Sequence, residues 1–154
     1  MIIPGQKLRS MGVIEPFHER TVENGMSYGV GPAGYDVRIK DEVRLEPGEF
    51  SLASTLERFN IPDDVVGWVC HKSTWARRGL DVWGGTILEP GWTGWLTLEL
   101  ANHCASPITI LAGSPIAQII FHRMEEPAQN PYRGKYQHQA NEPVPAIEER
   151  KNVE

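Results

Sequence analysis

The segment Trp95-Leu96-Thr97-Leu98-Glu99-Leu100 decides the fold class. Apolar and polar side chains alternate through it, so an extended chain places Leu96, Leu98 and Leu100 on one face and Trp95, Thr97 and Glu99 on the other. The same period recurs in Tyr35-Asp36-Val37-Arg38-Ile39 and, in part, in Val65-Val66-Gly67-Trp68-Val69. Farther along, Ile108–Leu111 and Ile116–Phe121 flank Ala112-Gly113-Ser114-Pro115, a spacing that predicts a hairpin. Fifteen glycines and twelve prolines interrupt these short runs, and no long segment has a 3.6-residue period. The pattern predicts an all-β sandwich or barrel whose one helical element is a short turn at Ser73–Arg78.

The rest of the chain narrows the class. With 154 residues, 40% apolar and 23% charged, it suits one globular domain with its own core. No apolar run reaches the length of a membrane span, and Met1-Ile2-Ile3-Pro4-Gly5 lacks a signal-peptide layout, so a cytoplasmic location is expected. Cys70 and Cys104 are too few for a disulfide framework and neither has a CxxC partner, which argues against structural zinc. The H-x-E with P-C-x-x-C signature of catalytic zinc is also missing. A net charge of −5 argues against gripping a nucleic-acid polymer, yet Lys72, Arg77 and Arg78, then Arg133 and Lys135, form local basic spots suited to a compact anion. Residues 1–126 read as the β-barrel domain. Residues 127–154, polar and carrying Pro127, Pro131, Pro143 and Pro145, read as a tail outside the core that orders on a partner or ligand or closes over the active site.

Two stretches hold residues capable of chemistry. Ser73 and Thr74 offer adjacent hydroxyls on a helical turn, Lys72 adds charge, and Arg77 follows one turn later on the same side. This arrangement suits a phosphate, although a serine starting a surface helix has the same spelling. Glu99 is either a solvent-facing carboxylate or a proton carrier in a pocket that Trp95 makes less wet. Glu89 precedes Pro90-Gly91-Trp92, a tight turn able to present an aromatic edge to a small ring.

Four motifs in order carry a wider resemblance. Gly31-Pro32-Ala33-Gly34-Tyr35-Asp36-Val37-Arg38, Lys72-Ser73-Thr74-Trp75-Ala76-Arg77, Leu88-Glu89-Pro90-Gly91-Trp92-Thr93-Gly94 and Ala117-Gln118-Ile119-Ile120-Phe121 resemble the dCTP deaminase and dUTPase superfamily. Within it, Ser73-x-x-Ala76-Arg77, Glu99 after the Pro-Gly-Trp turn, and the tail Lys135-Tyr136-Gln137-His138-Gln139 resemble the deaminase branch. The glycine-rich closing motif of the dUTPases is absent.

That resemblance implies a jelly-roll-like distorted β-barrel of the dUTPase type, assembled as a homotrimer with active sites at subunit interfaces. It implies deamination of dCTP or a close deoxycytidine nucleotide to dUTP and ammonia without zinc. Glu99 would activate water, and Ser73 and Arg77, with a carbonyl near Gly85, would steady the intermediate. Lys72, Thr74, Gln118, Lys135, Tyr136 and Gln139 would contact the nucleotide, with Mg²⁺ arriving on its triphosphate rather than on a protein metal site. Leu88, Glu89 and Trp92 would hold the base and sugar. Lys72 stands where the branch usually has arginine, and Glu89 where it has aspartate. The stretch Trp83-Gly84-Gly85-Thr86-Ile87 is one residue short and lacks an arginine. Gln118 resembles dUTPases and bifunctional members, which keeps pyrophosphate release to dUMP, dUTP or dCTP diphosphohydrolysis, and a non-catalytic nucleotide-sensing trimer as alternatives.

Overall fold

The computed structural model describes residues 1–83 and 87–149. In chain order its elements are α1 (Gly5–Leu8), β1 (Ile14–Glu15), β2 (Thr21–Glu23), β3 (Met26–Gly31), β4 (Gly34–Arg38), β5 (Val43–Leu45), β6 (Phe50–Asn60) and β7 (Val65–His71). They continue with α2 (Ser73–Ala76), β8 (Leu80–Val82), β9 (Ile87–Leu88), β10 (Thr93–Asn102), β11 (Ile108–Ile110) and β12 (Pro115–Arg123). Among the described residues no helix is long and apolar enough to cross a membrane.

A six-stranded sheet runs β2-β3-β4-β12-β7-β9, a four-stranded sheet β1-β6-β10-β8, and β11 pairs with β5. All pairings between these strands are antiparallel. One apolar cluster joins the two larger sheets, with Tyr35, Val37, Ile119 and Phe121 from the first and Phe59, Leu98 and Leu100 from the second. This is the jelly-roll-like β fold that the resemblance implied. The leucine stripe of β10 faces that core, as its alternation requires.

Two expectations need correction. Ile108–Leu111 and Ile116–Phe121 do not form a hairpin: β11 pairs with β5, whereas β12 lies between β4 and β7. Local turn chemistry was outweighed by the larger apolar burial available to β12 in the sheet centre. A second one-turn helix, α1, also precedes the barrel; it follows Pro4 and buries Gly5 and Leu8.

The strand bearing Glu99 is shaped by a register break. Between the pairs Trp95↔Arg58 and Thr97↔Ser54, β10 advances two residues while β6 advances four. The extra β6 residues form a bulge in which Thr55 Oγ1 accepts a hydrogen bond from Leu96 N at 3.0 Å and donates one to Glu57 O at 2.8 Å. Bulges re-aim the side chains that follow them. Here those side chains are Thr97 and Glu99.

Candidate active site

Glu99 opens onto a cavity of about 490 Å³, within the roughly 300–1,000 Å³ usual for small-molecule sites. Across the sheet Glu99 pairs with Leu52, and on its other side Trp83 N donates to Glu99 O at 3.1 Å. Directly opposed residues of antiparallel strands share a face, so the carboxylate stands in a row with apolar neighbours. Phe50, two residues before Leu52, adds its ring to that row, 5.8 Å from the ring of Trp83. A carboxylate so placed can move a proton where little bulk water competes.

The second wall is the turn between β9 and β10. Leu88 and Trp92 are buried, and Glu89 stands between them at the cavity. Gly91 takes φ +81°, a left-handed conformation suited to glycine, and a Cβ there would come within 2.6 Å of Pro131 Cβ. Gly94 at φ +143° has the same function: a Cβ would meet Gln139 N at 2.7 Å. These two glycines let residues 131–139 lie directly against the turn.

The third wall is therefore the tail, which lies against the turn and beside the cavity. Tyr132 N donates to Pro90 O at 2.8 Å, His138 N to Thr93 O at 2.9 Å, and Trp92 Nε1 to Tyr136 O at 2.6 Å. Gln139 forms a parallel bridge with Gly94. Farther on, Val144 N donates to Thr97 Oγ1 at 3.0 Å and Ile147 N to Tyr136 Oη at 2.9 Å. Tyr132, Tyr136, Gln139, Val144 and Ala146 thereby line the cavity beside Thr97 and Glu99. Thr97 is buried on the polar face of β10 because the tail covers it. Gln139 Oε1 is itself buried without a hydrogen-bond partner.

The remaining sequence candidates gather elsewhere, around α2. Trp75 is buried and its Nε1 donates to Pro115 O at 2.7 Å, fixing α2 on the end of β12. Ser73 and Arg77 are exposed, and Thr74 is half-buried. Lys72 is 9% exposed, and its Nζ lies 2.7 Å from Asp36 Oδ2, so its charge is matched within the protein. Gln118 sits beside Asp36 and Cys70 in the sheet register. Burial raises the Cys70 thiol pKa.

Six sequence candidates thus meet at one cavity: Leu88, Glu89, Trp92, Glu99, Tyr136 and Gln139. Lys72, Ser73, Thr74, Arg77 and Gln118 belong to the α2 region, and none is among the described residues lining that cavity. Lys135 is exposed, its Nζ 5.4 Å from the Tyr136 ring centroid. Gly85 lies outside the described residues. Sequence reasoning missed Asp36 as the partner of Lys72, and Leu52, Tyr132 and Val144 as wall residues. Thr97 alone had a visible signal, its shared face with Glu99. Among the described residues no group of three or more His, Cys, Asp or Glu can hold a metal ion.

The profile of a family described as dCTP deaminase-like matches residues 35–124. The chain is 38% identical over 152 positions to a dCTP deaminase of Pyrococcus furiosus, covering 89% of this chain and 92% of that protein. A dCTP deaminase of Gemmatimonas aurantiaca is 34% identical over 172 positions, covering 90% and 93%. Among solved structures, native dUTPase of EIAV superposes with a TM-score of 0.58 at 22% identity, over 80% of this chain and 97% of that one. A mutant dUTPase from phage phi11 of S. aureus, described with a structural Mg(II) ion, has a TM-score of 0.58 at 18% identity, over 78% and 92%. At such identities the two structures speak for the fold alone.

Proposed function

The chain belongs to the dCTP deaminase-like family, and we propose that it hydrolytically deaminates dCTP, or a close deoxycytidine nucleotide, as a homotrimer in the cytoplasm. The observation that carries this reading is the position of Glu99, paired with Leu52 across the sheet inside a nucleoside-sized cavity between the Leu88–Trp92 turn and the tail. Relatives at 33–38% identity carry the name dCTP deaminase, which supports the substrate.

In this reading water attacks C4 of the cytosine as Glu99 takes one of its protons. The C4–O bond forms and the carboxyl passes that proton to N3. It then takes the proton of the new C4 hydroxyl and delivers it to the exocyclic nitrogen as the C4–N bond breaks, releasing ammonia and leaving the uracil carbonyl with N3 protonated. Glu89, Trp92 and Tyr136 hold the base and sugar, and Gln139 the nucleotide. Ser73 at the start of α2 and Arg77 just after its end are exposed and are not among the described lining residues of Glu99's cavity, so we assign them to the cavity of a neighbouring protomer. There the guanidinium and hydroxyl would steady the charged intermediate. Thr74, Lys135 and Gln118 would meet the phosphates, and Lys72 would contribute mainly through its pairing with Asp36. Mg²⁺ would come with the triphosphate and neutralise its charge, and the chemistry above does not pass through it.

The test is a panel of cytosine and uracil deoxynucleotides with Mg²⁺, reading ammonia and pyrophosphate together. Ammonia from dCTP, with loss of about 10²–10⁴-fold in kcat for Glu99→Gln, is the expected result. Pyrophosphate without ammonia would replace this reading by diphosphohydrolysis, and tight binding without turnover by a sensor.

A further inference from the structure

We propose that Gln137 is a positioning residue that fixes the spacing between the turn and the tail, and so the fit of the nucleotide; the inference rests on the deaminase reading above. Its carboxamide joins four backbone groups from two segments. Oε1 accepts from Thr93 N at 2.8 Å and from His138 N at 3.3 Å, and Nε2 donates to Gly91 O at 2.8 Å and Tyr132 O at 3.1 Å. A primary amide offers an acceptor and two donors, and this site uses both kinds. Flipping the amide would oppose Nε2 to the Thr93 and His138 N–H groups and Oε1 to two carbonyl oxygens, so this orientation alone satisfies all four partners.

The partners explain why the bond set matters for binding. Gly91 and Thr93 flank Trp92 in the turn wall, and Tyr132 belongs to the tail wall. Tyr136 directly precedes Gln137 and Gln139 follows two residues later; both line the cavity. Gln137 is not among the described lining residues, so it acts through these others. Its side chain is also not what docks the tail. The bonds Tyr132 N to Pro90 O, Trp92 Nε1 to Tyr136 O and Val144 N to Thr97 Oγ1 do not involve it. Removing the amide leaves the tail attached while the turn and tail lose their fixed spacing. Opposite them, Leu52, Thr97 and Glu99 remain on the sheet.

Gln137→Met and Gln137→Glu test this against dCTP in the full-length enzyme. At pH 8 both should raise KM by about tenfold or more while kcat stays within about threefold, because the chemistry lies on the opposite wall. The acid adds a signature that a simple loss of stability would not produce. Ionised, it faces two carbonyl oxygens; protonated, it can donate to one of them, so its KM should fall toward the wild-type value between pH 8 and pH 6. The KM of Gln137→Met should keep the wild-type pH trend. Unchanged KM in both variants would overturn the proposal, as would a kcat that falls with the folded fraction at constant KM. If wild-type protein releases no ammonia from dCTP, the deaminase reading fails separately. The spacing role is then judged by calorimetric Kd for dUTP, with the same expected weakening and the same overturning result. Gln137→Asn, which carries the amide on a shorter arm, replaces any variant that fails to fold, with the same expectation for KM.

Discussion

Glu57 is a fully buried carboxylate in the barrel, and its partner Arg38 reaches it through both backbone and side chain. Arg38 N donates to Oε2 and Arg38 Nε to Oε1, each at 2.8 Å, and the guanidinium also lies 4.3 Å from the Tyr28 ring centroid. Burial nevertheless dominates, and it raises the Glu57 pKa from its ordinary 4.5 against the pull of those bonds. An acid with a raised folded pKa adds stability that is full below its unfolded pKa and is lost as pH rises through the folded value. Wild type should therefore lose stability relative to Glu57→Gln as pH rises above 4.5, measured by urea midpoints across a pH series. Arg38→Met should cost about 3–5 kcal/mol at pH 7 by leaving a buried charge unmatched, and Glu57→Leu added to it should recover most of that loss. Asp81 behaves oppositely. A hydrogen bond from His71 Nε2 at 2.6 Å, with help from His103, lowers its pKa below 3.8 despite partial desolvation. A depressed acid supports folding above its unfolded pKa and loses that support as pH falls through the folded value. The site is exposed, so Asp81→Asn should cost no more than about 1 kcal/mol at pH 7. The difference from wild type should vanish in acid.

At the scale of elements, the β9–β10 turn and the tail behave as one unit built on two glycines. Gly91→Ala forces a side chain into a left-handed backbone and against Pro131. We expect a loss of about 1–3 kcal/mol, with faster proteolysis confined to residues beyond Pro131 and a raised KM. Intact tail protection at wild-type KM would contradict the shared wall. This unit also marks the limit of what the sequence reveals. Strand β10 was legible because its leucines face one core and its period is unambiguous. The tail was not, because its partners are backbone groups such as Pro90 O and Thr93 O, which exist as acceptors only once the turn has formed. Its prolines and polar side chains carry no period that would betray the contact. The misplaced hairpin has the same origin: β12 pairs with β4 and β7, partners far away in the chain. Glu57 escaped notice because the register break in β6 buries Ser54, Thr55 and Glu57 on a strand whose alternation is interrupted.

At the scale of the whole molecule, the separation of Glu99 from Ser73 and Arg77 becomes a statement about assembly. The α2 residues were legible as a motif, and Glu99 as a carboxylate on a defined face, but no sequence period says whether two motifs meet within one chain or between copies. Here the turn and the tail wall the cavity, while the hydroxyl and guanidinium are exposed and are not among its described lining residues. If each active site takes Glu99 from one protomer and Arg77 from the next, then Glu99→Gln and Arg77→Ala are each inactive alone but can complement one another. Equal amounts unfolded and refolded together should form mixed trimers in which roughly a quarter of the sites combine a native Glu99 with a native Arg77. Ammonia release from dCTP should then recover to roughly a quarter of the wild-type rate, with sedimentation reporting three copies per particle. Sites contained within single chains would give no recovery at any mixing ratio. The dependence on ratio is informative too, since activity should peak at equal amounts and fall toward zero at either extreme.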